Sequence, residues 1–249
     1  MSKPTFVCIP GPSHASVVYE PLKAALSLHG YTTNAVNLPS TGGNPPTYDF
    51  TEDVVAIRNL ISQLVQSGLD VIVVMHTWSG VAGSEAVQGL GKLERQQRGL
   101  RGGVIRLVFI MGWIVGEGFQ GAPRGDVSAL FPYMIPDVQA GICTVNPQLA
   151  IPAFYNDLAL HQAQFWVSQL LPQSLGIFWS KTTYAAWRYI PSTYVICGQD
   201  QNVTPEYAEI MLQNARDSTP NMIDTVERCE EAGNSVFLSR ISVRNKKLS

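Results

Sequence analysis

The order of apolar runs predicts an α/β domain with a mostly parallel central sheet, helices on both faces and an inserted helical cap. Three observations carry that expectation. Strand-like runs alternate with stretches of helical periodicity across short links, the pattern of a parallel sheet with right-handed crossovers. Residues 71–76 form an apolar, β-branched run suited to a strand buried on both faces, and small residues lead from it straight into a helix. Residues 113–190 hold 13 of the chain's 23 Phe, Tyr and Trp, which marks them off as an insertion between two sheet strands. The expected division is a core made of residues 1–112 and 191–249, with an aromatic-rich cap at 113–190.

The elements follow in order. Residues 5–9 read as a buried strand, and Pro10 to His14 as a turn-rich loop. Helical periodicity over 17–28 stops at His29 and Gly30. Residues 31–37 form the next strand, and 38–46 a long irregular loop. A helix over 50–67 places Glu52 and Asp53 in its first turn, where carboxylates suit the helix dipole. Gly68 ends it, and the strand at 71–76 follows. Residues 95–103 read as a basic, Gly-rich surface link, 104–110 and 192–197 as strands, 206–215 as a helix and 222–226 as the last strand. The chain closes on a basic tail at 240–247.

Composition narrows the function classes. The 249 residues are 45% hydrophobic, enough for one large core. A net charge of -2 gives no reason to expect nucleic acid or a membrane surface as a partner. No apolar run reaches the length of a membrane span. The first residues lack the apolar core of a signal peptide, so a cytoplasmic location is expected. The four cysteines, Cys8, Cys143, Cys197 and Cys229, show no metal spacing and read as buried reduced thiols. Nothing calls for a cofactor. Oligomeric state is open, with a homodimer as one option.

Four stretches carry chemistry. They are the loop Pro10-Gly11-Pro12-Ser13-His14, the loop 38–46, the turn His76-Thr77-Trp78-Ser79-Gly80, and the pair formed by Gly198-Gln199-Asp200 and Gly233-Asn234-Ser235. In this order, with a cap between the third and fourth, they resemble the α/β-hydrolase fold family. The likeness is to small cap-bearing members related to methylesterases and hydroxynitrile lyases, and it covers most of the chain. The resemblance implies a Ser nucleophile on a sharp strand-to-helix turn with the pattern G-x-S-x-G, a carboxylate, and a His base late in the chain. Here the nucleophile slot holds Thr77, with Met75 and Ser79 in place of the flanking glycines. The acid maps to Asp200. The base slot holds Asn234, whose amide cannot take up a proton at neutral pH. None of the four histidines, His14, His29, His76 and His161, follows Asp200. The triad is degenerate.

The resemblance also places oxyanion donors at Trp78 and at Gly11 to Ser13, although Pro12 has no N–H to give. Without a His partner, a buried Asp200 would have a raised pKa and acid or base capacity, or would simply hydrogen-bond Asn234 and backbone. His14 faces the pocket or the surface. His76 packs beneath the turn. Ser79 serves close packing or as an alternative nucleophile. Trp113, Tyr133, Tyr155 and Trp179 are expected to line an apolar pocket, or to pack the cap on the core. Three readings follow. The first is a non-hydrolytic enzyme on a hydrophobic small molecule: a cyclase or isomerase, pericyclic ring closure included, or a lyase, in secondary metabolism. The second is an inactive, ligand-binding protein. The third is a weak esterase using Thr77.

Overall fold

The computed structural model describes residues 3–239. The expected basic tail at 240–247 lies outside them. A six-stranded sheet forms the centre, built from β1 (Thr5–Ile9), β2 (Thr32–Ala35), β3 (Asp70–His76), β4 (Gly103–Ile110), β8 (Ser192–Cys197) and β9 (Ile223–Cys229). Its spatial order is β2-β1-β3-β4-β8-β9, with every neighbouring pair parallel. The central strand β3 shows why periodicity found it: all but Asp70 and Ile72 are buried, so its sequence is a continuous apolar run rather than an alternation.

Helices α1 (Glu20–Leu28), α2 (Thr51–Gln66), α3 (Ser79–Ala86) and α7 (Pro205–Arg216) link the sheet strands. A short 3-10 turn, Ser16–Tyr19, precedes α1. Helix α2 buries Ile57, Ile61 and Val65 at four-residue spacing. Asp53 lies in its first turn as expected, and the structure buries it there. It is 2% exposed and takes the Ser40 backbone N–H at 2.9 Å and the Ser40 hydroxyl at 2.5 Å. Burial raises its carboxyl to about 6.

Three sequence expectations are corrected. The supposed surface link at 95–103 begins inside helix α4 (Lys92–Gln97), and Arg95 is buried there. Its guanidinium donates to the carbonyls of Gly102, Arg101 and Val65, so the cation fixes a turn that hydrophobicity alone could not have found. The last strand runs to Cys229, further than its apolar residues suggested, because the polar end pairs with β8 up to Cys197. Cys229 is also partly exposed, whereas the other three thiols are buried.

Between β4 and β8 lies the inserted segment. It carries helices α5 (Pro147–Phe154) and α6 (Leu160–Ser168), but also a three-stranded antiparallel sheet of β5 (Met134–Asp137), β6 (Ile142–Val145) and β7 (Gln173–Ser174). The helical cap of the sequence reading is therefore a mixed one. Short strands containing Pro136 and Asp137 carry little β signal of their own. Many of its aromatics build two satellite clusters. One joins Trp78 and Val81 to Leu175, Phe178 and Trp179, and the other gathers Tyr133, Phe154 and Tyr155. Among the described residues no helix is long and apolar enough to cross a membrane.

Candidate active site

The site is organised by the turn after β3. Thr77 has φ +49°, a left-handed conformation that a β-branched residue adopts only under constraint. The constraint is visible. Its N–H donates to Ile110 O, and its carbonyl accepts from Gly80 and Trp113 N–H. Gly80 has to be glycine, since a Cβ there would overlap the Trp113 carbonyl oxygen. The Thr77 hydroxyl lies against Gly11, where a Cβ would collide with it and come within 3.1 Å of His76 Nδ1. The Ser79 hydroxyl is committed to backbone: it accepts from His76 N–H at 2.8 Å and lies 2.9 Å from the carbonyls of Ile9 and His76.

Asp200, on the loop after β8, is 1% exposed. Its Oδ1 accepts from the N–H groups of Asn202 and Val203, and its Oδ2 accepts from Asn234 Nδ2 at 2.8 Å. Burial outweighs these bonds and raises its carboxyl to about 7, helped by the nearby charge of Asp157. Asn234 is fully buried on the loop between β9 and helix α8 (Val236–Ser239). Asp157 pins that loop by accepting from Gly233 N–H.

Two histidines join the site. His76 Nε2 lies 3.1 Å from Asn234 O and donates to it, because a carbonyl only accepts. His14 Nδ1 donates to Pro12 O, and its Nε2 accepts from the Tyr155 hydroxyl, each at 2.8 Å. Both ring nitrogens of His14 are thus engaged. Burial lowers His14 to about 4. It lowers His76 to about 3, with a further contribution from His14, so both rings are neutral at pH 7. Among the described residues, no hydrogen bond joins a histidine to the Thr77 hydroxyl.

A narrow inner cavity of about 20 Å³ opens here, room for one water-sized group. Of the sequence-predicted residues, Ser13, His14, Thr77, Trp78, Trp113, Tyr133 and Asn234 line it. Gly11, Asp200 and Tyr155 stand behind that lining. Gly11 backs Thr77, Asp200 backs Asn234, and Tyr155 backs His14. Trp179 is elsewhere: it packs in the cap cluster and donates its indole N–H to Asp126 O, because the 3-10 turn Leu175–Trp179 directs it away. An adjoining outer cavity of about 250 Å³ shares Trp78, Trp113, Phe131, Met134 and Phe178 with the inner one and continues to Phe119, Leu130 and Tyr207. Sequence reasoning did not select Phe131, Met134, Phe154, Phe178, Asn202 or His76 as lining. The aromatic enrichment contained three of them, but nothing in a sequence distinguishes a lining ring from a packing one. The Ser13 N–H donates to Gln173 Oε1 at 2.9 Å, so this expected oxyanion donor is already occupied.

Comparison with known proteins agrees with the geometry. Residues 6–241 match the model of the alpha/beta hydrolase family. The chain is 30% identical to Alpha/beta hydrolase nvfD of Aspergillus novofumigatus over 238 residues, 93% of this chain and 90% of that one. It is 26% identical to Probable hydrolase R7 of a Phoma species over 231 residues, 91% and 90% of the two chains. The crystal structure of a methylesterase from Arabidopsis superposes with a TM-score of 0.69 at 17% identity, covering 98% of this chain and 97% of that one. With a left-handed residue on the turn after β3, a buried carboxylate after β8 and a mixed cap over both, the chain belongs to the alpha/beta hydrolase family.

Proposed function

We propose that this protein is an enzyme that uses the hydrolase cavity without a covalent acyl intermediate, on an uncharged hydrophobic small molecule. The reaction class is a ring closure, an isomerisation or a lyase-type elimination. One observation carries this reading: Asn234 occupies the place of the base and gives its amide N–H to Asp200 at 2.8 Å, so the dyad is intact in geometry but has no group to relay a proton from Thr77. Two further features support it. Pro12 and the occupied Ser13 N–H leave the oxyanion loop poor in donors. The cavity walls are aromatic, with two neutral imidazoles.

In such a site the residues bind, orient and exclude water. The aromatic walls hold the apolar body, and Trp78, at the head of α3, presents a backbone N–H without an intrahelical acceptor. Asp200, raised to about 7, is able to hold a proton at neutral pH and stabilises the orientation of the Asn234 amide. The full engagement of His14 favours a second reading, a protein that holds its ligand unchanged.

Hydrolysis of p-nitrophenyl acetate tests the proposal. Wild type and Thr77→Ala should show the same background rate. Thr77→Ser combined with Asn234→His should gain ester cleavage of roughly a hundredfold or more, as a base is restored to a triad. A wild-type rate abolished by Thr77→Ala would sink the proposal in favour of a working Thr nucleophile.

A further inference from the structure

The inner cavity is poor in donors and holds acceptors that nothing satisfies. On the donor side, Pro12 has no N–H and the Ser13 N–H is given to Gln173 Oε1 at 2.9 Å, which leaves the Trp78 N–H and the Thr77 hydroxyl near the turn. On the acceptor side are Asn234 and His76, both lining the cavity. In its ionised form Asp200 sets the amide of Asn234: Oδ2 only accepts and takes Nδ2 at 2.8 Å, which leaves Oδ1 as the other terminus. That Oδ1 is buried with no hydrogen-bond partner. The carbonyl of Asn234 sets the tautomer of His76, since a proton on Nε2 leaves a lone pair on Nδ1. That Nδ1 is likewise buried and makes no hydrogen bond of ordinary geometry, and the Asn234 side chain is a polar neighbour of the ring. A buried acceptor left unpaired costs free energy until a donor reaches it, and native interiors keep few of them.

We propose that the substrate's polar end is a hydroxyl, on an alcohol, phenol or enol, which donates to the acceptor pair Asn234 Oδ1 and His76 Nδ1. Its apolar body then extends into the outer cavity past Trp113, Phe119 and Leu130. This rests on the non-hydrolytic reading of the same site and names its substrate class. An ester or ketone carbonyl brings only a further acceptor to this corner, and the site rejects it for that reason. The replacement of the family's base by Asn thus changes what the cavity recognises as well as what it cannot catalyse.

Calorimetric titration of the intact protein with 2-naphthol, 2-methoxynaphthalene and 2-acetylnaphthalene tests this. The three share an apolar ring system and differ in whether the polar group donates. We expect 2-naphthol to bind at least about tenfold more tightly than either analogue, as one buried hydrogen bond implies. Asn234→Leu should narrow that gap to about threefold or less. The nitrogen-15 shift of His76 Nδ1 should move with 2-naphthol and stay in place with the methyl ether, a readout that needs no variant. Equal or tighter binding of the ether or ketone overturns the proposal and indicates that water holds the acceptors. A preference that survives Asn234→Leu together with an unmoved His76 signal overturns it, as does failure of all three probes to bind. Turnover plays no part in these measurements, so their failure is separate from that of the esterase comparison.

Discussion

Thr77 and Gly11 show how closely the turn and the loop after β1 depend on each other. The left-handed backbone of Thr77 brings its hydroxyl against the Gly11 α-carbon, leaving no space for a side chain. Gly11→Ala should therefore destabilise by about 2 kcal/mol, the usual cost of overpacking a tight contact. Thr77→Ala removes the colliding oxygen, so the double variant should recover at least half of that loss. Denaturant unfolding of the four proteins in a double-mutant cycle measures the coupling. Additive effects would show that the two residues do not constrain each other. The Thr at this slot was legible from the order of residues around the turn. That its hydroxyl meets Gly11 was not, because residues 66 positions apart are brought together only by the parallel pairing of β1 with β3.

Among the elements, the short strand β7 does more than its two residues suggest. Gln173 is fully buried, and its amide ties three segments together. Its Oε1 accepts from Ser13 N–H and the Thr41 hydroxyl, and its Nε2 donates to the carbonyl and hydroxyl oxygens of Ser40. Leu171 N–H donates to Ser13 O, so both backbone groups of Ser13 are held by β7 and the residues just before it. Through Ser40 the network reaches Asp53 in α2. Gln173→Leu should cost about 3 kcal/mol, because it strands several buried polar groups at once. Hydrogen exchange should then rise at Ser13 while the β3 amides stay protected. Unchanged exchange at Ser13 would mean that the loop holds itself. Sequence periodicity located the sheet strands and long helices well, since these bury continuous stripes. It did not find β5 to β7 or α4, whose stability comes from side chains such as Gln173 and Arg95 bonding to distant backbone.

The stability of the whole molecule combines four buried titratable groups whose effects oppose one another. Asp200 and Asp53 are raised to about 7 and about 6, so the folded protein keeps protons that the unfolded chain releases near pH 4. Their contribution is present at low pH and is lost as pH rises through those values. His14 and His76 are lowered to about 4 and about 3, so the unfolded chain takes up protons below about pH 6.5 that the folded protein refuses. Their contribution is lost as pH falls through that window. The two effects offset each other between about pH 4 and pH 7. Asp200→Asn removes one of the two carboxyls and leaves Asp53. Relative to wild type, the variant should gain stability as pH rises from about 4 to about 7, by up to roughly 4 kcal/mol. Denaturant midpoints across that range measure the difference, and parallel curves would show that Asp200 does not titrate differently on folding.

The order of residues along the chain determined a good deal by itself. It placed an apolar strand ahead of a small-residue turn, set Thr77 on that turn and Asn234 after the last strand, and left no histidine after Asp200. These are facts of covalent order, and no folding alters them. Which of the remaining polar atoms are free was decided only by tertiary structure. Ser13 loses its N–H to a residue 160 positions away, and His14 loses Nε2 to one 141 positions away. A hydrogen bond depends on where two groups end up within about 3 Å of each other, and a sequence fixes that distance only through the packing of everything between them.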